Sequence, residues 1–365
     1  MSGSGERFID WGLAERVGLT VAGDGRRESL VRQDEIDDAS EEALELVCGY
    51  TGLEPAGDVP RPEAVGRDEW VRANLATIRH ASTELEARVA DSLDAPGPLG
   101  PAARRGAGIA AGAEAGLGIG YMGRRVLGQY DVALIGPPRP PRLLFVAPNL
   151  TEAQRRLGIG DRDLFLHWIA LHEATHVVQF GAVPWLREHI GGMVEQLLRT
   201  ASVRPDLQDL GEAVRSLLSA RQPRRLVESL RDQGLVGLLA GPRQLEQIRE
   251  LQATMTLIEG YSEHVMDAIG EQLDPAYARL RELADARREQ QGRLEAIVAW
   301  LLGLDMKLRQ YRAGKRFADA VAHRAGIGGL NEVWREPEAL PSAAELEAPE
   351  LWIRRVVGSE AVESA

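Results

Sequence analysis

At 365 residues and 44% hydrophobic, the chain can bury a large core, as one big domain or two intimate ones. Its 43 Lys and Arg against 55 Asp and Glu leave a formal charge of −12, which argues against nucleic acid as main partner, since phosphate binding needs a basic surface. One cysteine, Cys48, excludes intramolecular disulfides and cysteine-cluster metal sites and fits a reducing cytoplasm.

The N-terminus, MSGSGERFIDWG, has neither a basic n-region nor an apolar h-region, so it does not read as a signal peptide, and a cytoplasmic location is expected. Residues 1–100 form a helical N-terminal region, with helices running through 36–92 and Cys48 a buried structural thiol near the end of one. DAPGPLGPAARRG, at 94–106, is a linker or long loop. In residues 106–123, Gly108, Gly112, Gly116 and Gly120 recur every four residues and make a smooth ridge on a helix. Glu114 and flanking arginines leave that segment marginal for a membrane span, so a tightly packed interior helix without stable membrane insertion is expected. After IGPPRPPR, a rigid extended turn, LLFVAPNL (143–150) is the best strand candidate. Helix follows helix from about 151 to 330, with a polar helical insertion near 201–250 broken by Pro205, Pro223 and Pro242. A proline-punctuated tail wraps the surface before a short last helix. The fold class is mainly α (α+β), with a small β element.

The chemistry concentrates in LHEATHVVQF, residues 171–180. Residues four apart share one helix face, so His172 and His176 can point ring nitrogens at one ion. Zinc accepts such donors in catalytic sites built from three protein ligands and one open position. Glu173 is rotated about 100° from His172, beside the metal, where a carboxylate can take a proton from zinc-bound water and so activate it for attack on an amide carbonyl. The apolar residues of FLHWIALHEATHVVQF surround the helix on every side, which marks it as buried. Buried imidazoles and a carboxylate need compensation, and a metal supplies it. The plainer reading is two hydrogen-bonded core histidines and a salt-bridged glutamate. His167 lies off the His172/His176 face and reads as structural.

TMTLIEGYSEHVMDAIG (254–270) offers candidates for a third ligand on one helix. Glu259 borders the apolar stripe through Met255, Ser262 and Met266 and is followed by Gly260, where another backbone can approach. That makes Glu259 the favoured third ligand and His264 the alternative, while a salt bridge to an arginine is the bland role for Glu259.

These segments, together with VLGQYD, LLFVAPNL, MKLRQYRAGKRF and GGLNEVWREPEALP, resemble one bacterial family of zincin-like proteins. Its members are named as zinc-dependent metalloproteases, or as hydrolases associated with biosynthesis of a deazaflavin coenzyme. The resemblance covers most of residues 100–357 and is weaker before residue 100. It implies a zincin-like catalytic core, placed at 101–365, with His172 and His176 as zinc ligands and Glu173 as base. The Glu259–Gly260 pair resembles the third-ligand motif of glutamate-type zincins.

A hydrolase of this kind needs a donor for the developing oxyanion, for which Tyr261, Tyr130, Arg309 and Tyr311 are candidates. Asp267 or Glu263 is expected to orient the ligand imidazoles. The resemblance to other zincins implies that LLFVAPNL is an edge strand for an extended peptide, while its plainer role is to cover the core. The expected function is therefore a zinc-dependent hydrolase, a metallopeptidase acting on a peptide or small amide. Its alternatives are a non-catalytic zinc-containing scaffold protein and a small-molecule amidase using the same site.

Overall fold

The computed structural model describes residues 7–23, 29–93, 100–136, 139–200, 242–273, 276–289 and 305–358. Helix α1 (Trp11–Ala22) is capped by Asp10, whose side chain accepts the Leu13 amide at 2.8 Å. Helix α2 (Gln33–Thr51) ends on Gly52 at φ 67°, a left-handed closure that favours glycine. A strand, β1 (Pro62–Val65), then precedes α3 (Arg67–Ala81) and α4 (Thr83–Leu93). This strand interrupts the stretch expected to be helical. Four residues starting at a proline and followed by Gly66 are too short to show a period.

The glycine ridge lies on α5 (Gly100–Gly123), which packs on α1. A Cβ on Gly108, Gly112, Gly116 or Gly120 would overlap the carbonyls of Phe8, Asp10, Ala14 and Gly18 in turn, so the two backbones meet directly. Ile109 and Leu117, on the other side of α5, are exposed. No helix among the described residues is long and apolar enough to cross a membrane.

Strands β2 (Gly128–Asp131) and β3 (Arg142–Val146) complete a sheet of order β1-β3-β2, with β1 parallel and β2 antiparallel to β3. LLFVAPNL is therefore half strand and half helix, because Pro148 opens α6 (Ala147–Leu157), where its missing N–H costs nothing. It is also the central strand. Leu143 and Phe145 face one core and Leu144 and Val146 face another, which is why the run carries no polar alternation.

Helix α7 (Arg162–Ala182) starts at Asp161, which accepts the Leu164 amide at 3.0 Å. It is followed by α8 (Leu186–Thr200), α9 (Pro242–Leu273), α10 (Ala276–Glu289) and α11 (Asp305–Asn331). The insertion expected near 201–250 lies outside the described residues up to position 241, where α9 begins one residue later. The tail carries α12 (Ala343–Glu347) and α13 (Pro349–Trp352). Trp352 is fully buried and donates its indole N–H to the Ala339 carbonyl at 2.6 Å, so the tail closes the main core instead of only covering it.

The larger core joins α2, α7, α9, α11 and the tail to one face of β3. The smaller joins α1, α3 and β1 to the other, with α5 packed against it. Elements from both sides of residue 100 share each core. Helix α7 runs through the middle of the larger one, flanked by α2, α9 and β2.

Candidate metal centre

Burial explains the unusual face of α7. Leu171, Ala174, Val177 and Val178 pack into the core, while His172 and His176 turn toward α9. His172 Nε2 lies 3.2 Å from His176 Nε2, and Glu259 Oε2 from α9 lies 3.5 Å and 3.8 Å from the two nitrogens. A tetrahedral ion with bonds of about 2.0–2.1 Å sets neighbouring donors about 3.3 Å apart, so the triangle fits zinc. Two imidazole nitrogens and a carboxylate oxygen aimed at one point are also the donors zinc prefers.

The other ring nitrogens fix the imidazoles. His176 Nδ1 donates to Gln179 Oε1 at 2.9 Å, and Gln179 Nε2 donates to the Ile258 carbonyl at 3.0 Å. One fully buried amide therefore ties a ring on α7 to the residue preceding Glu259 on α9. His172 Nδ1 meets Ser262 Oγ at 3.4 Å, and that hydroxyl donates to the Glu259 carbonyl at 2.8 Å. With both Nδ1 atoms carrying the protons, both Nε2 lone pairs face the ion position.

Glu173 is buried beside this triangle and accepts the backbone N–H of Tyr130 in β2. Burial pushes its pKa up to about 7; nearby Glu259 adds to the rise, while His176 and the Tyr130 amide oppose it. Gly128 makes room for this arrangement, since a Cβ there would sit 2.6 Å from the Glu173 carboxyl oxygen. The strand edge turned to the site is thus β2. LLFVAPNL cannot serve as the exposed edge because β1 and β2 occupy both of its sides.

Among the third-ligand candidates, Glu259 joins the histidines and His264 does not. His264 Nε2 bonds the Tyr50 hydroxyl at 3.0 Å and Nδ1 bonds Asp319 at 2.8 Å, so both nitrogens are engaged elsewhere. The stripe used to place Glu259 was partly misread, because Met255 is exposed and the buried face runs through Leu257, Ile258, Tyr261 and Val265. Gly260 does meet another backbone: a Cβ there would overlap Gly314 of α11.

Asp267 and Glu263, expected beside the imidazoles, pair with Arg281 at 2.6 Å and 3.3 Å. The imidazole Nδ1 atoms bond Gln179 and Ser262 instead. Gln179 was legible as the i+3 neighbour of His176 on the same helix face. Tyr261 is fully buried and donates to Asn331 at 2.7 Å, which removes it as an oxyanion donor. The Tyr130 ring packs on Phe180, and it is the Tyr130 backbone that reaches Glu173. The side chains of Arg309 and Tyr311 lie outside the described residues. His167 is half-buried against Tyr277, and burial lowers its pKa.

A His-Glu-x-x-His helix whose imidazoles meet a glutamate from a second helix defines a zincin-type centre. The chain belongs to the zincin-like metallopeptidase family, whose model matches residues 9–353. It is also similar to a crystal structure from Chloroflexus aurantiacus described as "a putative hydrolase with a novel fold". That chain is 28% identical at a TM-score of 0.68, over 96% of this chain and 99% of the other. No curated protein matches the chain.

Proposed function

We propose that the protein is a zinc-dependent metallopeptidase in which His172, His176 and Glu259 hold the ion and Glu173 is the general base. The observation that carries this reading is the 3.2, 3.5 and 3.8 Å donor triangle with a buried carboxylate beside it. Zinc in this position supplies Lewis-acid polarisation of a carbonyl and of water. Glu173, held by the Tyr130 amide, takes the proton released by water and passes it to the departing amine.

β2 is an edge strand beside the site, which supports a peptide over a compact amide. Three donors, with no fourth in the group among the described residues, leave room for a reacting carbonyl and favour turnover over a closed structural site. The test is zinc stoichiometry by elemental mass spectrometry on wild type and Glu259→Ala, with hydrolysis measured on Glu173→Gln. About one zinc per chain is expected, lost or weakened in Glu259→Ala, with Glu173→Gln keeping zinc and losing hydrolysis. Full activity in Glu173→Gln would remove its role as base.

A further inference from the structure

A cavity of about 160 Å³ opens directly beside His172 and Glu173. Its walls are apolar, made by Leu127 ahead of β2, Trp168 and Ile169 one turn before His172, and Met266 of α9. Besides His172 and Glu173, one polar residue breaks this lining: Glu263, 95% buried and fixed by Arg281 at 3.3 Å. Arg281 is in turn held by Asp267 at 2.6 Å, so the wall behind Glu263 is braced. The lining therefore carries two carboxylates, Glu173 and Glu263, and no lysine or arginine among the described residues.

We propose that this cavity receives the substrate group next to the scissile amide and selects a short side chain with an apolar body and a hydrogen-bond-donating tip. The inference rests on the metallopeptidase reading and names the substrate class for it. An apolar tip cannot hydrogen-bond the Glu263 carboxylate, whereas a donor adds a charge-assisted bond beside the ion pair with Arg281. An acidic tip would set its own charge against the Glu263 carboxylate in a small, partly dehydrated space. A primary carboxamide suits the lining best. Its NH₂ donates to Glu263.

The test uses three hydroxamates of nearly equal side-chain size, those of glutamine, methionine and glutamate, titrated calorimetrically into the zinc-loaded full chain. Glutamine hydroxamate is expected to bind about tenfold or more tighter than methionine hydroxamate, with glutamate hydroxamate weakest. Glu263→Leu should reverse the glutamine–methionine order. Because that variant orphans Arg281, Glu263→Gln is run beside it; it keeps an acceptor for Arg281 and should recover glutamate hydroxamate specifically. A zinc-loaded chain that binds all three without this order, or keeps its order in both Glu263 variants, overturns the inference and leaves the metal centre standing. A chain that takes up no zinc and binds no hydroxamate removes the metallopeptidase reading and the inference together.

Discussion

Gln179→Leu tests the idea that one neutral amide sets both the metal affinity and the alignment of two helices. Leucine fills similar space but removes the acceptor for His176 Nδ1 and the donor to the Ile258 carbonyl. Each is a buried bond, and an unsatisfied buried group costs about 1–3 kcal/mol. Loss of an orienting partner typically lowers metal affinity about 10–100-fold, or ~1.4–2.7 kcal/mol at a tenfold per 1.4 kcal/mol. Zinc affinity is measured by competition with a chromophoric chelator, and folding of the metal-free chain by circular dichroism. Cobalt substitution then separates orientation from folding, because a tilted His176 ring alters the visible absorption of the ion. Gln179→Glu should retain more affinity than Gln179→Leu, since a carboxylate still accepts from His176. Zinc affinity in Gln179→Leu within about twofold of wild type, with normal folding, would refute the reasoning.

Removing zinc exposes a pH dependence set by Glu173. Its folded pKa of about 7 stands above the ordinary 4.5, so the stability it contributes is full at low pH and is lost as pH rises through about 7, by ~3 kcal/mol. Denaturant midpoints of metal-free Glu173→Gln at about pH 5 and about pH 8 should lack that part of the wild-type decline; an unchanged decline contradicts it. Gly128→Val should keep zinc yet lower hydrolysis by about 10²-fold, because the new side chain pushes the Glu173 carboxyl out of place; unaltered turnover would contradict this. Gly260→Ala should cost about 1–3 kcal/mol of stability and weaken zinc binding, as α9 and α11 are forced apart; a variant melting with wild type would show that the crossing yields.

The site was more legible than the sheet, for physical reasons. His172, Glu173 and His176 sit within one helical turn, so their geometry follows from helical spacing alone. Glu259 was reachable because Gly260 marks a close backbone approach on the same helix. The strands β1 and β2 are four residues each, below the length at which alternation stands out, and their pairing is nonlocal. LLFVAPNL declared burial on both faces but not its neighbours, so a central strand was taken for an edge. The expectation of carboxylates beside the imidazoles passes over Gln179 and Ser262, an amide and a hydroxyl that fill that position here.

At Gly260 and Gly314, α9 and α11 touch main chain to main chain. Such a crossing has no rotamers through which neighbours can retune it. The Cα of Glu259, one residue away, is thus indexed by peptide geometry, and ordinary drift in the surrounding core passes it by. A change in the walls of the adjoining cavity leaves the backbone position behind that carboxylate fixed, so specificity and metal grip are adjusted on separate dials.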